Sequence, residues 1–139
     1  MVKLGEACVR SLCRGQAVIA LSSGEAEYYG LVTGTSEGLG EQSWAADWGI
    51  KIPLHVWMDA TAGVAIGSRR GLGKVKHIDT IFLWVQDIMN RRRATIGKKH
   101  TSENFADILT KAVDGTLLAR MLQQIGFIFM QGRSDHAYE

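Results

Sequence analysis

What most constrains the fold of this chain is an apolar stretch that runs directly into a helix start. Val18, Ile19 and Leu21 suit a half-buried pleated strand. Ser22, followed three residues later by Glu25, is the capping-box spelling of a helix N-terminus. If Ser22 caps and Glu25 folds back onto the backbone, Glu27 projects from another face of the first turns, where a carboxylate can hold a cation. The alternative is that both glutamates only complement the positive end of the helix dipole. The weight of Glu27 therefore depends on the other acids of the chain.

The remaining elements follow from periodicity and punctuation. Two apolar stretches broken at Gly5-Glu6 predict a hairpin with one short arm, its longer strand covering residues 7–21 with an interruption near Arg14-Gly15. The first strand has too few residues to pair properly, and the N-terminus looks cut. A helix is predicted from Ser23 to about Trp48, with Ala26, Tyr29, Trp44, Ala45 and Trp48 on its buried face and a break near Gly38 to Gly40, because each interior glycine costs up to about 1 kcal/mol. Gly49 ends it. A strand follows over residues 54–59, then a short small-residue helix over residues 60–68 and a basic loop over residues 69–76. Ile78, Ile81, Phe82, Val85, Ile88 and Met89 mark the clearest amphipathic helix. A last strand over residues 94–99 leads to a helix near Asn104 that contains Asp107, and Asp114 caps a further helix over residues 117–125. The order is that of an α/β layer protein, with one domain over residues 1–128 and a polar tail over 129–139.

Charge is distributed unevenly over the 139 residues. Residues 1–60 carry four Lys/Arg and seven Asp/Glu, whereas residues 61–111 carry ten and four. The middle of the chain therefore suits a polyanion such as nucleic acid, with plain solvation of the lysines and arginines as the alternative. Cys8 and Cys13 form no Cys-x-x-Cys pair and have no histidine at ligand spacing, which speaks for reduced cysteines in an intracellular protein. No run approaches the roughly 18 apolar residues of a membrane span, so secretion and membrane insertion are not expected. The run from Gly67 to Lys74 fails as a P-loop, since Ser68 stands where glycine is required and Val75 where Ser or Thr is required. The four tryptophans are expected in the core.

Three acids share one kind of position. Glu27 opens a helix after a strand, Asp59 ends a strand, and Asp107 starts a helix after the last strand. In open α/β sheets such positions converge on the crevice beyond the strand ends. Carboxylates without histidine or thiol partners prefer hard cations, magnesium above all where phosphates are the other ligands.

Four segments carry a family resemblance. Leu21-Ser22-Ser23-Gly24-Glu25-Ala26-Glu27-Tyr28, Val56-Trp57-Met58-Asp59, Lys76-His77-Ile78-Asp79 and the run from His100 through Asp107-Ile108-Leu109-Thr110 to Lys111 resemble, in order and spacing, the ribonuclease H domain of Ty1/copia-type retrotransposon Pol polyproteins. The resemblance covers about residues 1 to 125. It implies a ribonuclease H-like mixed sheet flanked by helices and hydrolysis of the RNA strand of RNA–DNA hybrids, with two Mg2+ ions held by Glu27, Asp59 and Asp107. Glu25 is the weaker rival for the first of these roles. His100 matches a flexible histidine that assists product release, with a plain surface histidine as the alternative, and Asp79 is expected to be structural. Arg69, Arg70, Lys74, Lys76, Lys98 and Lys99 are expected to contact phosphates, and reverse transcriptase is an expected neighbour in a polyprotein.

One departure from the family stands out. Its first strand carries another catalytic aspartate, and nothing before Gly5 supplies one. That strand is also the central one of the five, between the hairpin and the Asp59 strand, so the chain reads as a truncated domain lacking its first strand and inactive as it stands. The alternative is a non-catalytic nucleic-acid-binding remnant. A scaffold whose open sheet edge accepts a partner's strand is a third reading.

Overall fold

The computed structural model describes residues 1–16, 19–68, 83–100 and 103–130. Its elements are β1 (Val2–Leu4), β2 (Ala7–Arg10), α1 (Ser23–Asp47), β3 (His55–Met58), α2 (Thr61–Ser68), α3 (Trp84–Asn90), β4 (Thr95–Lys98), a 3-10 turn (Phe105–Leu109) and α4 (Gly115–Gln124). The strands form two separate pairs. β1 and β2 make an antiparallel hairpin turned at Gly5, whose φ of 59° is the left-handed conformation glycine adopts without penalty. β3 and β4 run parallel in continuous register from His55 opposite Thr95 to Met58 opposite Lys98. Among the described residues no ladder joins the two pairs.

Helix α1 is the common support, packing against both β1 and β3. Ser22 caps it in extended conformation, its hydroxyl accepting the Glu25 N–H at 3.2 Å. The reciprocal arm of the box is displaced by one residue: Glu25 accepts from the Leu21 N–H at 2.8 Å instead of the cap residue's own. The Tyr29 hydroxyl donates to the other Glu25 oxygen at 2.8 Å, and the side chain is 1% exposed. Beyond it, Tyr28, Leu31, Val32 and Thr35 continue the buried face, and Tyr28, Leu31 and Val32 meet Met58 and Val85 in the central cluster. Close approach needs glycine here. A Cβ on Gly38 would lie 2.5 Å from a Leu54 methyl, and one on Gly67 would lie 2.5 Å from a Leu31 methyl.

Several expectations are corrected. The helix is unbroken through Gly38 to Gly40, because packing of Gly38 on Leu54 offsets the glycine penalty. The strand after the hairpin turn stops at Arg10, where its partner Val2 is the first residue of β1. With no neighbour to hold the ladder, Ile19 and Leu21 are exposed and outside any strand. Trp44, Trp48 and Trp57 are 58%, 71% and 60% exposed rather than buried: the first two lie beyond Gly38, where only Ala45 of α1 is buried, and Trp57 is at an exposed position of β3 that alternates with buried Met58. Trp84 does pack against the core. The helix expected near Asn104 is a single 3-10 turn, while Asp114 caps α4 as anticipated by accepting from the Thr116 and Leu117 N–H groups. The amphipathic helix is described from α3 onward, and the first part of its expected span lies outside the described residues.

Removing the Glu25 carboxylate takes away the acceptor that joins the helix start to Leu21 and Tyr29. The variant Glu25→Ala is therefore expected to lose about 3 kcal/mol of stability. Urea denaturation followed by circular dichroism measures the loss.

Candidate carboxylate site

Parallel pairing of β3 and β4 brings their C-terminal ends side by side, and the Lys99 N–H continues the contact by donating to the Met58 carbonyl at 2.7 Å. Asp59 leaves β3 at this end. The chain then turns into α2, whose first residues abut the start of α1: a Cβ on Gly24 would meet the Ala62 Cβ at 3.0 Å. A Cβ on Gly63 would lie 3.3 Å from the Glu27 Cβ and 2.6 Å from the Met58 methyl. Two small residues in α2 thus let the helix that carries Glu27 close over the end of the strand that precedes Asp59.

Asp107 arrives from the segment after β4. Asn104 organises its turn: the Asn104 side-chain oxygen accepts the Ala106 N–H at 3.3 Å, and its amide donates to an Asp107 carboxylate oxygen at 3.1 Å. The other Asp107 oxygen accepts from the Lys111 ammonium at 2.8 Å. Asp107 is buried, whereas the Lys111 side chain is 54% exposed.

The electrostatics tie these groups together. Partial burial raises the Glu27 carboxyl above its ordinary 4.5, the negative charges of Asp59 and Asp107 push it the same way, and Lys111 opposes them. The Lys111 ammonium is held above its ordinary value, first by its hydrogen bond to Asp107, with Asp59 and Glu27 contributing through their charges. Glu27, Asp59, Asp107 and Lys111 therefore form one interacting set.

In kind, this donor set fits a hard divalent cation, because it holds carboxylate oxygens and neither histidine nor thiol. Its spacing is wider than coordination requires: among the described residues no three His, Cys, Asp or Glu side chains are gathered closely enough to hold an ion.

The other expected site residues are dispersed. Glu25 is committed to Leu21 and Tyr29, which leaves Glu27 as the glutamate beside the strand end. His100 is exposed just after β4, and its carbonyl accepts the Glu103 N–H. Lys98 is exposed at the end of β4, while Lys99 is half-buried with its ammonium 4.9 Å from the Phe105 ring centroid. Arg69, Arg70, Lys74, Lys76 and Asp79 lie outside the described residues. Sequence reasoning gave no role to Lys111 or Asn104. The four-residue spacing of Asp107 and Lys111 was the available signal, since it is the spacing of helical ion pairs.

The chain is similar to a segment of the retrovirus-related Pol polyprotein from transposon TNT 1-94 of Nicotiana tabacum, with 30% identity over 104 residues. The match takes in 70% of this chain and 8% of the relative's length. It supports an origin in a retrotransposon Pol polyprotein. No family model and no solved structure matches the chain. Among the described residues no helix is long and apolar enough to cross a membrane.

The raised Glu27 carboxyl has a stability consequence of definite sign. A folded-state value above the unfolded one means that the folded chain binds the proton more tightly, so stability falls as pH rises from about the ordinary 4.5 through the raised value. Glu27→Gln removes the repelling charge. It is expected to raise Tm at neutral pH, with the gain shrinking as pH is lowered through that window. Thermal melts of both proteins across the acid range check this.

Proposed function

We propose that this chain is part of a ribonuclease H-type nuclease domain of a copia-like retroelement, in which Glu27, Asp59 and Asp107 hold magnesium and the RNA strand of an RNA–DNA hybrid is the substrate. The observation that carries the reading is where the sheet divides. Among the described residues β1–β2 and β3–β4 are separate pairs on one helix, and the resemblance puts a central strand bearing a fourth carboxylate between them. The charges of Asp59 and Asp107 act on Glu27, and Asp59 follows the C-terminal end of a parallel strand, the side on which open α/β sheets bind ligands. The similarity to a retrotransposon Pol polyprotein supports the same origin.

In this reading each residue has a distinct task. Asn104 fixes the Asp107 carboxylate in its turn. Gly63 and Ala62 let Glu27 approach the end of β3. Lys111 neutralises Asp107 and is half-exposed, so that it is a cation available to a substrate phosphate. Magnesium, when bound, supplies an activated water and stabilises the leaving oxygen of the phosphodiester.

A second reading, a remnant that binds nucleic acid without cutting it, is favoured by two observations. The carboxylates are not gathered at coordination distance, and a lysine already engages Asp107.

The test is magnesium-dependent cleavage of a labelled RNA–DNA hybrid. This chain alone is expected to bind the hybrid in a salt-sensitive manner and to leave it intact. A fusion that supplies an additional Asp-bearing strand ahead of Met1 is expected to cut, and Asp59→Asn in that fusion to abolish cutting. A folded fusion that binds but never cuts would leave the remnant as the account, and failure of both proteins to bind would remove both readings.

A further inference from the structure

The open face of the β3–β4 pair has features that the carboxylate chemistry does not use. Along β3 the side chains alternate: Val56 and Met58 turn toward the α1 core, while His55 and Trp57 turn away from it and are exposed. On the same face the partners in register are Thr95, bonded through its hydroxyl to the His55 ring, and Gly97. A Cβ on Gly97 would lie 2.5 Å from Cζ3 and 2.8 Å from Cε3 of Trp57. The six-membered ring of the indole therefore packs against the Gly97 backbone, with 60% of the residue in solvent. Only glycine opposite it permits that pose.

Beyond Gly97 the chain brings two ammoniums to another aromatic ring. Alternation puts Lys99 on the side of Gly97, and its ammonium is 4.9 Å from the Phe105 ring centroid. The Lys3 ammonium, from β1, is 5.0 Å from the same centroid. The two lysines and Phe105 line a cleft of about 380 Å³ together with Glu6, Glu103 and Gln124. Glu6, 3.7 Å from Lys3, is 94% exposed, so solvent screens that pair heavily. Glu103 is exposed as well.

We propose that this face is a binding platform for single-stranded nucleic acid, with a base stacked on the exposed indole of Trp57 and backbone phosphates on Lys99 and Lys3. The chemistry selects that ligand. A solvent-exposed indole offers sequence-tolerant stacking to an unpaired base, and the two ammoniums supply the backbone contacts of a strand-tracking groove. Duplex bases are stacked on each other and present no free face, so the platform discriminates by strandedness. The inference goes beyond the hydrolytic reading and does not depend on Glu27, Asp59 or Asp107.

The experiment is titration of the full chain with oligothymidylate of about fifteen nucleotides, read by tryptophan fluorescence and anisotropy. Binding with quenching is expected. Trp57→Leu is expected to weaken affinity roughly ten- to hundredfold and Trp57→Phe to recover most of it. Gly97→Ala keeps the indole but lifts it off the sheet, and is also expected to weaken binding. Lys99→Gln is expected to reduce the slope of log affinity against log salt by about 0.7. The proposal is overturned if Trp57→Leu and Gly97→Ala, shown folded by circular dichroism, bind as the parent does. It is equally overturned if the parent ignores the oligonucleotide while sedimentation shows a dimer that Trp57→Leu dissolves, which would assign the face to a second copy of the chain. Hybrid cleavage does not enter this readout, so the two proposals stand or fall separately.

Discussion

Packing of α1 is the constraint on which the rest of the fold depends. Among the described residues the two strand pairs share no backbone ladder, and the helix that both touch is a main link between them. Tyr28, Leu31 and Val32 join Met58 and Val85 on one side. On the other, Arg10 of β2 pairs with Glu37 and Glu41 of α1, and Arg14 also reaches Glu37. These ion pairs are partly exposed, which makes their contribution modest. The β3–β4 side is therefore held by apolar burial and the hairpin side substantially by screened charge.

The helix start adds a second layer of organisation. Glu25 and Glu27 are two residues apart and meet opposite fates: one is enclosed and accepts from Leu21 and Tyr29, the other stands half-buried among like charges. Hydrogen bonds from Leu21 and Tyr29 hold the first in place, whereas burial and the charges of Asp59 and Asp107 work against the charged form of the second. Lys111 supplies the balancing charge in this structure.

Much of the fold was legible in local signals. The Ser22 cap, the Gly5 turn, the Gly49 stop and the Asp114 cap all lie where short-range hydrogen bonding and backbone conformation put them. Asp59 does follow the last residue of β3, whereas the strand expected directly before Glu27's helix is absent among the described residues and Asp107 lies within a 3-10 turn. The role of Lys111 was not legible, because an acid and a lysine four residues apart are common on any helix, and only the nearby charges of Glu27 and Asp59 make this pair more than a surface contact.

By itself, the sequence determined the Ser22 and Asp114 caps, the turn at Gly5, the end of the long helix at Gly49 and the excess of cations in the middle of the chain. Capping, turn formation and alternation are decided within a few residues, so they can be read without knowing what lies opposite. Only the tertiary structure decided how far β2 extends, which of two neighbouring glutamates is enclosed, and which tryptophans meet solvent. Those outcomes depend on residues distant in the chain. β1 is too short to pair beyond Arg10, Tyr29 and Leu21 converge on Glu25, and Gly97 leaves the space into which Trp57 lies down.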